Sequence, residues 1–171
     1  MIFNYIEEKS IKLLKEFDLL KTPINVNKLS KKLGVGVEAS NFNDEVSGLF
    51  VIKDDKPYIA YNLNQSKKRR RFTIAHELGH FILHSRSKSL FIDKNESIMY
   101  RNSESSTGEF LKEREANAFA AALLMPIPLI LEEAKALNGD DIIEKLASKF
   151  NVSTQAMSFR LSNLGYDFGM F

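Results

Sequence analysis

Apolar residues return at helical spacing across residues 3–20, at Ile6, Leu13, Phe17 and Leu20 with Ile11 and Leu14 beside them, and predict an amphipathic first helix. The stretch NVNKLSKKLG adds a short second helix, with Val26, Leu29 and Leu33 on one face and Gly34 as its stop. The period then changes. In SGLFVIKDDKPYIAYN, two β-rich runs, residues 48–52 and 58–61, flank an Asp-Asp-Lys-Pro turn and predict a hairpin. Helical spacing resumes over residues 66–83. A serine-rich, charged stretch over residues 85–107 reads as a loop. A further apolar helix is expected over residues 108–125, stopped by Pro126, and Pro128 can open another that ends near Asn138 and Gly139. The tail divides into two short helices, residues 140–150 and 153–164, around an Asn-Val-Ser turn, which is a helix-turn-helix pattern.

A chain of 171 residues suits one main domain with room for a small appended unit. The expected division is a domain over residues 1–138 and a helix-turn-helix-like module over residues 139–171 packed on it. With no cysteine, disulfides and thiolate metal sites are excluded, so any zinc must be held by histidine and carboxylate. Twenty-four basic and 22 acidic residues leave a net charge of +2, which gives no global argument for nucleic-acid or membrane binding. The start, MIFNYIEEKS, lacks the pattern of a secretory signal. The longest apolar run, AFAAALLMPIPLIL, is shorter than the roughly 18 to 20 residues a membrane span needs and is broken by two prolines. A cytoplasmic location is the expectation.

The chemistry concentrates in RRRFTIAHELGHFILH, residues 69–84. Residues four apart lie on one helical face about one turn apart, so His76 and His80 can grip one ion. Glu77, one step round, can reach a water on that ion as a general base. His84 lies ~12 Å along the axis from His76, beyond the reach of one zinc. It reads as a neighbouring or packing residue, with a role toward substrate or behind a ligand as the alternative. With three histidines in the chain, the third ligand must be a carboxylate, and EFLKEREANAFAAALLMP offers Glu109, Glu113 and Glu115. The apolar face through Ala116, Phe119, Ala120, Leu123 and Leu124 carries Glu113 with it; Glu115 points away and Glu109 lies a turn further out. Asn117 shares the side of Glu113 and can accept an N–H from a zinc-bound histidine. A structural alternative would bury two histidines and a glutamate with no ion to satisfy them. Three protein ligands leave a fourth position for water, the mark of a catalytic site: zinc would lower the pKa of that water toward ~7, and Glu77 would take its proton. The expected reaction is peptide-bond hydrolysis. Tyr58, Tyr61, Tyr100 and His84 are candidates to stabilise the oxyanion.

These two motifs together resemble the ImmA/IrrE family of zinc metallopeptidases, and LASKFNVSTQAMSFRLSNLGY is similar to the segment that follows in many members. The resemblance covers roughly residues 25–165. It implies an α+β, zincin-like core with a small antiparallel sheet packed on the HExxH helix, whose outer strand can hold an extended peptide; KPYIAYN is the expected strand. Carried over by residue, the family's motif falls on His76, Glu77 and His80, and its later glutamate on Glu113. The implied function is a zinc-dependent endopeptidase that cleaves an intracellular regulator, with a helix-turn-helix transcriptional repressor as partner. The rival is a DNA- or partner-binding regulator whose zinc is structural or vestigial.

Two further features carry competing readings. KKRRR, residues 67–71, reads as the solvated start of the motif helix, or as a dock for an acidic substrate segment or nucleic acid. The last helix could enter a major groove, but its expected exposed face, Gln155, Ser158, Arg160 and Asn163, holds one cation, which is thin for phosphate contacts; packing or partner docking is the preferred role. Phe168, Met170 and Phe171 are expected to join the core or an interface.

Overall fold

The computed structural model describes residues 2–85, 89–94 and 107–166. In chain order these form α1 (Ile2–Glu16), α2 (Val26–Lys32), β1 (Gly36–Ser40), β2 (Val46–Lys53), β3 (Lys56–Asn62), α3 (Lys67–His84), β4 (Leu90–Lys94), α4 (Thr107–Leu124), α5 (Ile127–Lys135), α6 (Ile142–Phe150) and α7 (Thr154–Asn163). The architecture is α+β. Tyr100, Phe168, Met170 and Phe171 lie outside the described residues, as does most of the expected loop over residues 85–107.

Local chemistry explains the boundaries. The first helix stops short of residue 20 because Asp18 turns left-handed, at φ 55°, and its N–H closes on Lys15 O. Asn25, Ser66 and Ser153 cap α2, α3 and α7 by accepting from the N–H three residues on. Asp54 and Asp55 both take positive φ, 50° and 59°, and make the two-residue turn that matches the twist of a hairpin. Lys56 and Pro57 therefore belong to β3, with Pro57 opposite Ile52, and not to the turn.

The sheet runs β1-β3-β2-β4. It is mixed, which corrects the antiparallel expectation: β2 pairs antiparallel with β3 and β4, but β1 runs parallel to β3, Gly36 opposite Tyr58 through Ser40 opposite Asn62. Two strands escaped the sequence. β1, GVEAS, alternates in polarity only over Val37 to Ser40, too short a run to stand out, and its burial does not follow that alternation. β4 sits inside the expected loop; it buries Phe91 and Asp93 on one face and exposes Leu90 and Ile92 on the other, the reverse of a hydrophobic alternation at three of four positions. The position of β3 brings a second correction. Paired on both sides, KPYIAYN has no free edge for a peptide.

α3 lies across β2 and β3 and packs against α4, which also receives α1. The α3–α4 approach is set by Gly79. A Cβ there would sit 3.0 Å from Ala116 Cα and 3.2 Å from Ala116 O, both backbone atoms of a packed helix, so only glycine admits this spacing. Phe50 and Ile59 of the sheet, Leu78 of α3, Phe119 of α4, and Phe150 and Met157 of α6 and α7 share one buried cluster. α6 ends at Asn151 in the left-handed conformation, at φ 53°.

The basic run is solvated at its start, where Lys67, Lys68 and Arg69 are exposed, but not at its end. Arg71 donates to the carbonyls of Ile24, Phe150 and Asn151, tying α3 to the segment before α2 and to the end of α6. Arg70 donates to Leu63 O and Gln65 O at the start of its own helix. Buried main-chain acceptors at element ends need such donors. Arg160 is likewise turned inward, 6% exposed, donating to Met125 O and paired with both Glu7 oxygens. This corrects the expected exposed face of the last helix and removes its one cation; Phe159, 62% exposed, faces outward beside it.

Candidate metal centre

Two helix faces meet at the site. His76 and His80 project from α3 toward α4, where Glu113 lies one turn before the tight contact at Ala116. His76 Nε2 is 3.2 Å from Glu113 Oε2, His80 Nε2 is 3.2 Å from Glu113 Oε1, and the two Nε2 atoms are 3.1 Å apart. Ligands ~2.0–2.1 Å from a tetrahedral ion stand ~3.3 Å from one another, so this triangle has the size a metal needs. Two imidazoles and a carboxylate are also a donor set suited to a borderline ion such as zinc. The four residues that the motif and the second helix pointed to are therefore gathered at one place, with Asn117 Oδ1 2.9 Å from His76 Nδ1.

Glu77 is 0% exposed, and neither carboxylate oxygen has a hydrogen-bond partner among the described residues. Burying a carboxylate in this way is costly unless something arrives to satisfy it. Burial pushes its pKa well above the usual carboxylate range; His76 opposes that shift, and Asp93 and Glu113 add to it. Gly48 of β2 leaves room here, since a Cβ would meet Thr73 Cγ2 at 2.4 Å and Glu77 Oε1 at 3.5 Å.

Charge is shared unequally across the triangle. Burial by itself would lower His76, but hydrogen bonding to Glu113 and the fields of Asp93, Glu77 and Glu113 raise it to about 9. Burial takes His80 down to about 4, with His76 and His84 acting in the same direction. Burial would raise Glu113, yet its bonds to both histidines hold it at about 2. In the metal-free triangle the positive charge is thus favoured on His76, beside a neutral imidazole and an ionised carboxylate.

Other expected residues fall elsewhere. Tyr58 and Tyr61 belong to interior strand β3. Glu115, which the apolar face turned away, reaches α3 after all: its Oε2 is 2.8 Å from His84 Nε2, and His84 Nδ1 is 3.2 Å from His80 Nδ1. Asp93 was missed because it lies on a strand read as loop. It is buried within 4.8 Å of His76 and Glu77 ligand atoms and faces Arg69 Nη2 at 3.8 Å. Nothing in its local sequence singles it out.

From His76 and Glu113 a groove of about 610 Å³ extends between β4 and α7. Lys68, Arg69 and Lys94 bring positive charge to it, and Phe72, Met125 and Phe159 supply apolar wall. No single helix among the described residues is long and apolar enough to cross a membrane.

The family model for the IrrE N-terminal-like domain, Peptidase_M78, matches residues 30–162. The chain is 31% identical over 102 residues to "Uncharacterized immunity region protein 2" of Bacillus phage phi105, covering 60% of this chain and 59% of that protein. It is 26% identical over 117 residues to "Metallopeptidase ImmA" of Bacillus subtilis (strain 168), covering 67% and 63%. The chain therefore spans about three-fifths of the length of these curated relatives. A solved structure titled "Mycobacterium tuberculosis transcriptional regulator" superposes with a TM-score of 0.65 at 20% identity, over 93% of this chain and 46% of the other, a likeness of fold. With the model matched across most of its length, this chain belongs to the ImmA/IrrE family of peptidases.

Proposed function

We propose that this chain is a zinc-dependent endopeptidase that cleaves a protein regulator, with a helix-turn-helix transcriptional repressor as the substrate. The observation that carries the reading is the pairing of an ion-sized His76–His80–Glu113 triangle with a buried glutamate whose oxygens have no hydrogen-bond partner among the described residues. In this reading His76, His80 and Glu113 are the ligands, and Asn117 accepts from His76 Nδ1–H, which leaves Nε2 bare for the metal. Three protein ligands leave a position open, as catalytic sites do.

Zinc bound here supplies Lewis acidity, bringing a water's pKa toward ~7 and polarising a peptide carbonyl. Glu77 would be placed to accept the proton of the water that adds to the peptide carbonyl and to return it to the amine nitrogen released when the C–N bond breaks. Burial raises its pKa in the metal-free chain, and a cation in the neighbouring triangle would oppose that shift and favour the ionised form that acts as a base. Excluding bulk water around Glu77 strengthens each of these interactions.

β4 takes the role first given to β3. It is an edge of the sheet among the described residues, and its Asp93 and Lys94 line the groove, so an extended peptide can pair along it. The cationic and aromatic walls favour a substrate segment with acidic and large apolar side chains near the scissile bond. The zincin-like core corresponds to residues 1–138. Residues 139–171 act as a helix-turn-helix-like module whose α7 walls the groove, and with Arg160 buried it serves the substrate rather than DNA.

The test is incubation of the zinc-loaded chain with purified helix-turn-helix repressors, reading cleavage by mass spectrometry. Cutting at one site, lost on chelation and restored by zinc, is the expected result. Cleavage indifferent to chelation would contradict it.

A further inference from the structure

The third histidine of the motif helix makes contacts that neither metal binding nor proton transfer uses. His84 is 6% exposed, lies one turn beyond His80, and faces the nitrogen of His80 that points away from Glu113. Its own far nitrogen meets Glu115. The result is a line of three side chains: His80 Nδ1 to His84 Nδ1 at 3.2 Å, then His84 Nε2 to Glu115 Oε2 at 2.8 Å. Phe91 of β4 stacks on the His80 ring at 4.2 Å between centroids and 14° between planes, closing the ring's face.

We infer that Glu115 and His84 form a relay that sets the tautomer and orientation of His80 for metal binding. The logic runs inward from the carboxylate. An ionised carboxylate only accepts, so it fixes the His84 proton on Nε2. Neutral His84 is then left with a bare Nδ1, which can only accept. His80 must therefore donate from its own Nδ1, and its Nε2, the atom facing His76 and Glu113, is left with a lone pair. The opposite assignment would put a proton on His80 Nε2 and block the ligand position. His84 and Glu115 are positioning residues, joined to the site through the back of the His80 ring. They do for His80 what Asn117 does for His76, so each ligand ring is held from behind by a residue of α4, directly in one case and through a second imidazole in the other.

This inference rests on the reading of His80 as a ligand, and its test separates the two. Zinc affinity is measured by competition with a chromophoric chelator for the wild-type chain, His84→Ala, Glu115→Leu, the double variant and Glu115→Gln. Long-range proton–nitrogen spectra of the zinc-loaded wild type report the histidine tautomers. The expected outcome is a 10- to 100-fold weaker affinity in His84→Ala and Glu115→Leu. The double variant should lose little more than either single one, because both changes break one relay. Glu115→Gln keeps an acceptor oxygen and should retain most of the affinity. The wild-type spectrum, which needs no variant to fold, should show His80 protonated on Nδ1 and His84 on Nε2. Variants that bind zinc within about twofold of wild type, or His84 carrying its proton on Nδ1, would overturn the relay alone. A wild-type chain that takes up no zinc would overturn the ligand reading and the relay with it.

Discussion

Glu77→Gln is expected to lower the rate of peptide hydrolysis by roughly 10²- to 10⁴-fold, the usual contribution of a positioned general base, while zinc content stays at the wild-type level. The two effects separate because Glu77 is not a member of the proposed His76–His80–Glu113 ligand set, although its carboxylate lies within 4.8 Å of a His76 ligand nitrogen. The variant should also fold at least as well as wild type. A carboxyl that is wholly buried, with both oxygens unpartnered, costs the native state free energy, and an isosteric amide removes the charge without opening a cavity. Cleavage and zinc content are read on the same preparation, with urea unfolding of the metal-free chains alongside. Activity retained within tenfold would remove Glu77 from the chemistry.

The second large effect concerns the fold. Arg160→Met should destabilise the metal-free chain by about 3 kcal/mol, toward the lower end of what breaking a buried ion pair costs. The lower end applies because the Glu7 side chain is 20% exposed and can recover some water once its partner is gone. Arg160 joins three elements at one point: Glu7 of α1, the carbonyl of Met125 at the end of α4, and its own α7. The methionine stem keeps the packing of the arginine chain and isolates the loss of its donors. Chemical denaturation provides the check, with Phe159→Ala on the exposed side of the same helix as the comparison. A loss under 1 kcal/mol would mean that the guanidinium is not what holds α7 in place.

Much of the site was readable from the chain because it follows helical arithmetic. His76 and His80 are one turn apart, and the apolar stripe through Ala116, Phe119 and Leu123 carries Glu113 to the side where α4 meets α3. The same arithmetic misjudged Glu115. A stripe describes the face toward the core, whereas the side chain of Glu115 leans back along its helix to His84, a partner visible only once two helices are packed. The third histidine and the second glutamate were each on display; their pairing was not. The sheet was less legible. The hairpin announced itself through β-rich runs and two aspartates in the turn, but the alternation in β1 is only four residues long, and β4 buries an aspartate where a strand pattern would want an apolar residue. That aspartate lies beside His76 and Glu77, so the residue that hid the strand adds to the field at the site. The arginines were misread for a related reason. Composition counts Arg71 and Arg160 as surface charge, but each is consumed by backbone carbonyls that only the assembled fold leaves in need of a donor.

Metal content tests the central claim most directly. Wild-type chain, Glu113→Ala and Glu115→Gln, each loaded with zinc and dialysed, are compared by elemental analysis. One zinc per chain is expected in wild type and in Glu115→Gln, and none retained in Glu113→Ala, since Glu113 closes the triangle with the two histidines. A well-folded wild type that holds no zinc, or a Glu113→Ala chain that holds as much as wild type, would contradict it.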